Sequence, residues 1–288
     1  MDKLKKAITI KANAKINLTL EVTGKRPDGY HELRSIMQSV SLHDMVTVSA
    51  DGESTVISCD KPFIPCDERN IAFKVAEAFF KEHGSRFGVK IHIEKHIPSE
   101  AGLGGGSADG AAVLAALNIL SGKPFTEEKL IDIGARVGAD IPFCLKGGTQ
   151  LCMGIGEIME EKPSLPLCHI VIAKGNEGIS TAKAFAAIDA YGFDKAPLDL
   201  SVFEQGSIEK IAAKCMNDFE KAADIPEIHT IKNTMLSYGA LCSVLSGSGS
   251  AVYGIFTDSS AANSCCQKLL KSDFFAFQSI PEKQGLIY

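Results

Sequence analysis

The 288-residue sequence predicts an α+β protein in two domains, the first over residues 1–160 and the second over 161–288. Three observations carry this prediction. Segments that alternate like strands are interleaved with segments of helical periodicity. The length suits about two domains. Glu157–Pro166, charged and carrying two prolines, reads as the boundary between them.

The first strand is expected over 7–22. Ala14, Ile16, Leu18, Leu20 and Val22 fall on one face, and Asn13, Lys15, Asn17 and Thr19 on the other. Such a polar face either meets water or lines a site. Gly24–His31 is a turn-rich loop, and a second strand runs near Asp44–Ser49. Asn70–Lys81 is predicted helical, with Ala72, Val75, Ala76 and Phe79 on one side. Val89, Ile91 and Ile93 mark a strand, and four glycines then fall within the five residues Gly102–Gly106. An alanine-rich helix follows, to Leu120. Another helix starts at Thr126, a good N-cap with Glu127 and Glu128 in its first turn, and ends near Gly138. Pro142 is expected to push Ile141 out of helical geometry. A strand over 148–153 closes the first domain.

In the second domain, His169–Ala173 is an apolar strand, and helical patterns cover about 180–190, 207–223 and 226–238. Strands near 241–246 and 251–256 flank a second glycine turn, Ser246–Gly249, and the half reads as an α+β sandwich. A helix at 259–271 and a strand near 274–279 end the chain.

Composition narrows the function. The net charge of −5 offers nucleic acid no bulk attraction. No apolar run approaches the roughly 18 residues of a membrane span, and the basic N-terminus lacks the apolar stretch of a signal peptide. Nine cysteines without a C-x-x-C pair, two of them adjacent at Cys265 and Cys266, read as reduced thiols in a cytoplasm. His92 and His96, four apart on a predicted strand, read as structural.

A strand, a glycine loop and a helix in that order leave backbone N–H groups and a helix N-terminus free for an anion. The loop is not a Walker A sequence: no Gly-Lys-Ser/Thr follows it, and Gly122-Lys123 runs into Pro124. Nor is it a dinucleotide fingerprint, since Ser107 stands where the third glycine belongs. Protein-kinase signatures are missing too. Alone, the loop says only that phosphate is bound.

Its companions are more specific. Ala14–Leu20, Pro98–Ala112 and Leu245–Ser250, in this order and spacing, resemble the GHMP kinases. Gly24–Leu33, Gly138–Pro142 and Asn217–Glu220 resemble the branch of that family whose substrate carries a cytidine diphosphate. The likeness runs from about residue 10 to about residue 256. It implies a first domain like the second domain of ribosomal protein S5 and a ferredoxin-like second domain. It implies ATP-dependent phosphorylation of an alcohol on a small molecule, with ATP and Mg²⁺ as cofactors. No nucleic-acid or membrane partner is expected of a cytoplasmic monomer or homodimer.

The resemblance also assigns residues. Lys15 and Asp140 carry the catalysis. Asn70, Pro98, Ser99, Gly102, Leu103, Gly104, Gly105, Gly106 and Ser107 meet ATP. Ser107 is the candidate metal ligand, its alternative being a helix N-cap. Asn17, Tyr30, His31, Thr181 and Phe185 meet the substrate, while Asp28 and Gly29 shape the turn before Tyr30. Taken singly, Lys15 would read as a solvated lysine, Asp140 as a turn residue and Phe185 as a core residue. A cation beside a carboxylate weakens it as a base but favours the alkoxide, so positioning and electrostatics should outweigh base strength. Two departures stand out: Ala108-Asp109 where Ser-Asn is frequent, and Glu100 where many members carry a small residue. Alternatives are a homoserine or mevalonate type of GHMP kinase, or a non-catalytic RNA-binding protein on the S5-like fold. The cytidine-type segment opposes the first, and the acidic balance, glycine loop, Lys15 and Asp140 oppose the second.

Overall fold

In the computed structural model, which describes residues 7–193, 196–222 and 224–288, the chain begins as a long hairpin of β1 (Ala7–Lys25) and β2 (His31–Ala50). There follow β3 (Thr55–Cys59), α1 (Ile71–His83), β4 (Val89–Glu94), α2 (Gly105–Leu120), α3 (Glu127–Ala135), α4 (Ile141–Lys146), β5 (Thr149–Gly154) and β6 (Ile158–Glu161). The second half comprises β7 (His169–Lys174), α5 (Thr181–Tyr191), α6 (Val202–Gln205), α7 (Ile208–Ala212) and β8 (Met216–Asn217). A 3₁₀ turn, α8 (Pro226–Ser237), β9 (Cys242–Leu245), β10 (Val252–Phe256), α9 (Ser259–Leu270), β11 (Phe275–Ser279) and β12 (Leu286–Ile287) complete it.

The first sheet is organised by the hairpin, whose strands pair from Ala7↔Ser49 to Lys25↔His31. The far edge of β2 is shared: β5 takes residues 33–38 and β4 takes 45–50, so the sheet splits between them. β3 lies parallel to β4, and β6 antiparallel to β5. The free edge of β1 receives β12 and β8, both from the C-terminal half of the chain. The second sheet is antiparallel, in the order β11-β7-β10-β9.

α2 is the central helix. It packs on β1, β2, α1 and α4, and its residues from Ala108 to Leu117 are all buried. That is why its sequence is largely apolar all round instead of striped. Alanine and glycine let neighbours close in on every side at little side-chain entropy cost.

Several elements depart from the sequence-based expectation. β1 and β2 are longer than predicted, and β3, β6, α4, α6, β8 and β12 were not anticipated. Pro142 does not stop a helix but lies in the first turn of α4, where no intrahelical N–H is required. The charged stretch at 157–166 contributes β6 to the first sheet. The helix expected over 207–223 is helical only as α7, then turns into β8 and the 3₁₀ turn Asp218–Ala222; residue 223 lies outside the described residues. Asn217 explains the break. Its Nδ2 donates to the Leu245 and Gly247 carbonyls at 2.8 Å each, and its Oδ1 accepts from Phe219 N at 2.9 Å. Those bonds outweigh a weak helical propensity.

Candidate active site

Both glycine turns and β1 converge on one point. Ser246 Oγ donates to Gly102 O (3.0 Å), Ala251 N to Ala101 O (3.1 Å) and Lys15 N to Leu103 O (3.0 Å). Gly102 and Gly104 hold φ of +73° and +71°, the left-handed region natural to glycine. Gly104 is the N-cap of α2, and Ala108 N already returns to Gly104 O at 2.8 Å. The N–H groups of Gly105, Gly106 and Ser107 therefore have no partner within the helix and face its N-terminal end. Ser107 sits in the first turn, so the N-cap alternative for it is removed.

Lys15 lies under this loop, with only 4% of its surface exposed. Its Nζ donates to Asn17 Oδ1 at 2.8 Å and stands 3.8 Å from Asp140 Oδ2, at the start of α4. The period of two along β1 places Lys15 and Asn17 on the same face. Asn17 is fully buried and heavily engaged: Oδ1 also accepts from Gly247 N (2.9 Å), and Nδ2 donates to Ser35 Oγ (2.8 Å). Asn17 also borders the cleft beside Lys15, and its side chain positions Lys15 and ties β1 to the second glycine turn.

Two spaces meet here. A cleft of about 940 Å³ is bordered by Lys15, Asp140, Tyr30, His31, Thr181 and Phe185. A recess of about 520 Å³ is bordered by Asn70, Pro98, Ser99 and the loop from Gly102 to Ser107. They share Glu100, Gly102, Gly104 and Thr181. One chamber suits a donor and the other an acceptor; the Lys15–Asp140 pair borders the cleft, and Lys15 packs against Gly104, which both spaces share.

The remaining predicted residues have distinct surroundings. Leu103 is buried and offers only its backbone to the loop. Asn70 borders the recess, but its Oδ1 N-caps α1 through Ala72 N (2.9 Å) and its Nδ2 donates to Pro65 O (2.7 Å). Thr181 Oγ1 lies 2.8 Å from Ser248 Oγ. Tyr30 is 60% exposed at the cleft rim, and the turn before it is shaped by Asp28 Oδ1 accepting from Tyr30 N (3.1 Å) and by Gly29 at φ +88°. The face of Phe185 is taken by His31, with ring centroids 4.4 Å apart and planes 17° apart. A base stacking on that face of Phe185 must displace or share the His31 ring.

Sequence reasoning missed a buried charge cluster beneath the loop. Lys95 Nζ is 2.5 Å from Asp44 Oδ2 and 2.7 Å from Asp109 Oδ2. Asp44 Oδ1 accepts from His96 N (2.6 Å) and Ile97 N (2.8 Å), fixing the strand end that leads into the loop. Only the unusual Ala108-Asp109 pair hinted at it. Burial pushes the Asp109 carboxyl up to about 8, with the Lys95 ammonium opposing the rise and Asp44 adding to it. Raised above its unfolded value near 3.8, the group makes the native state bind the extra proton, so it costs stability as pH climbs towards 8. Asp109→Asn should therefore flatten the decline between pH 6 and pH 9. Thermal melts at the two pH values check this; equal declines in variant and wild type would count against it.

Mg²⁺ was expected. Among the described residues no group of three His, Cys, Asp or Glu side chains is placed to hold a metal ion. Mg²⁺ characteristically takes one or two protein oxygens and fills the rest of its shell with phosphate and water. The Ser107 hydroxyl beside the orphan N–H groups fits that habit.

The chain belongs to the GHMP kinase family: the models "GHMP kinases N terminal domain" and "GHMP kinases C terminal" match residues 70–148 and 203–274. It is thus an ATP-dependent small-molecule kinase of two-domain GHMP architecture. Within the family, the 4-diphosphocytidyl-2-C-methyl-D-erythritol kinase of Caldicellulosiruptor saccharolyticus is 43% identical over 255 residues, covering 86% of this chain and 88% of that one. The enzyme of the same name from Acetivibrio thermocellus is 42% identical over 277 residues, covering 94% and 98%. A crystal structure of a 4-(cytidine 5'-diphospho)-2C-methyl-D-erythritol kinase superposes with a TM-score of 0.81 at 29% identity, over 95% of this chain and 99% of that one. Mevalonate kinase from L. major, at 18% identity and a TM-score of 0.77 over 98% and 99%, shares the fold. No helix among the described residues is long and apolar enough to cross a membrane.

Proposed function

We propose that this chain transfers the γ-phosphoryl group of ATP to the 2-hydroxyl of 4-diphosphocytidyl-2-C-methyl-D-erythritol, a step of the non-mevalonate route to isoprenoid precursors. The observation that carries the reading is the Lys15–Asp140 pair, 3.8 Å apart in the cleft of Tyr30 and His31, with the Lys15 side chain against Gly104, which the cleft shares with the glycine-loop recess. The free N–H groups of Gly105–Ser107 hold the triphosphate. Lys15, buried and oriented by Asn17, stabilises negative charge on the attacking oxygen and the moving phosphoryl group; in a desolvated site that attraction is stronger than in water. Asp140 orients the hydroxyl and receives its proton. The Ser107 hydroxyl would hold Mg²⁺ brought in with ATP, which would supply neutralisation of the phosphate charge. The cytidine lies against Tyr30 and His31, with Phe185 and Thr181 closing from α5. The two working units are 1–160 and 161–288, and the setting is a cytoplasmic monomer or homodimer with no nucleic-acid partner.

The test is a substrate contest. ADP release is expected with the cytidine diphosphate substrate, depends on Mg²⁺, and yields a product with its new phosphate on the 2-hydroxyl. Phosphorylation of mevalonate or homoserine in its place would refute the reading.

A further inference from the structure

α5 reaches over the acceptor cleft, and its last contact is the informative one. Asp189 lies four residues beyond Phe185, one turn on along the same helix face. Its Oδ1 is 2.7 Å from His31 Nε2, and its Oδ2 is 2.5 Å from Lys25 Nζ. Lys25 ends β1, His31 begins β2, and the two are register partners, so Asp189 grips both sides of the turn that presents Tyr30. His31 is buried between this carboxylate and the Phe185 ring, with Phe193 at 6.1 Å.

An ionised carboxylate only accepts hydrogen bonds. Lys25 and then His31 hold the Asp189 carboxyl below its ordinary range, which keeps it in that form. The bond therefore requires the proton on His31 Nε2, and a neutral imidazole so held has a bare Nδ1, an acceptor. His31 borders the cleft, and a ring acceptor turned to a pyrimidine bound there would attract an exocyclic amino group and repel a carbonyl oxygen. Cytosine carries the amino group at the position where uracil carries the oxygen. We propose that Asp189 is a positioning residue which sets the tautomer of His31 and so makes the cleft select a cytosine-bearing substrate over its uracil counterpart. This rests on the functional reading above, in which the pyrimidine lies against His31.

The experiment compares wild type, Asp189→Ala and Lys25→Met, each with ATP and with either the cytidine substrate or its uridine analogue. Lys25→Met removes the ion pair but leaves the Asp189–His31 bond. For Asp189→Ala we expect KM for the cytidine substrate to rise roughly tenfold or more, and the cytidine-over-uridine ratio of kcat/KM to shrink by a similar factor. KM for ATP should stay within about twofold, which also reports an intact fold. Lys25→Met should keep the ratio of the wild type, and Asp189→Glu should recover part of what alanine loses. An unchanged ratio in Asp189→Ala, or an equal loss in Lys25→Met, overturns the assignment of Asp189 while leaving the functional reading intact. A wild-type protein inactive on the cytidine substrate overturns both.

Discussion

Asp140→Asn is expected to lower kcat by about a thousandfold or more while the protein stays folded and binds ATP. The amide preserves the shape of the side chain but neither takes a proton nor balances the Lys15 ammonium. Asp140 is about one-third exposed at the start of a short helix, whereas Lys15 is nearly fully buried. Losing the charge of Asp140 therefore leaves Lys15 with Asn17 Oδ1 as its remaining close partner. A desolvated cation without its counter-charge is costly, and its Nζ will drift or recruit water. Lys15→Met is the complementary change. It removes the positive charge where negative charge develops, and a loss of about a hundredfold to a ten-thousandfold in kcat is expected. Single-turnover rates at saturating ATP and substrate, read beside a melting curve and a nucleotide titration, check both variants. Near-normal turnover in Asp140→Asn would remove it from the chemistry. A Lys15→Met defect confined to KM would make Lys15 a binding residue.

How these residues come together was only partly legible in the sequence. Lys15 and Asp140 stood out because motif residues flank each of them, not because anything local announces a site. Their meeting depends on the packing of α4 against β1, which no single segment encodes. The long reach of β2 was hidden for a different reason. Its residues from Ser35 to Val40 are all buried, so the alternation that betrays a half-exposed strand is missing. Asn17 carries a duty that its face alone does not reveal: it borders the cleft beside Lys15, and its amide also orients Lys15 and holds the second glycine turn. Ser107 was placed equally well as a cap or as a ligand, until Gly104 proved to close the helix with its backbone. Asp44, Lys95 and Asp109 come from three elements, β2, the end of β4 and α2, and a buried ion cluster of that kind has no spacing signature. Asp189 is similar, since one carboxylate on an exposed-looking helix gives no sign that a histidine and a lysine of another sheet await it.

Substitution in the glycine loop separates the two duties of that loop. A Cβ on Gly102 would stand 2.0 Å from Ser246 O and 3.1 Å from Gly249 N. Both are backbone atoms of the second glycine turn, so no rotamer relieves the clash and the turns must move apart. The left-handed φ adds about 1–2 kcal/mol for any residue with a Cβ. Gly102→Ala should cost at least about 3 kcal/mol in all, lowering Tm by around 10 °C. Turnover should fall with it, because the displaced turn carries the Gly247 N–H that holds Asn17. Gly104→Ala meets a different obstacle. Its φ carries the same strain, but its Cβ would lie 3.0 Å from Lys15 Cγ and 3.4 Å from Lys15 Cε, atoms of a flexible side chain that can yield. The stability cost should stay near the backbone strain alone, about 1–2 kcal/mol, while kcat falls steeply as Lys15 Nζ is pushed away from Asp140. Melting temperatures and single-turnover rates measured on both variants therefore test the division of labour directly. If Gly104→Ala kept its turnover, the ammonium it displaces could not be the group that stabilises the transferring phosphoryl.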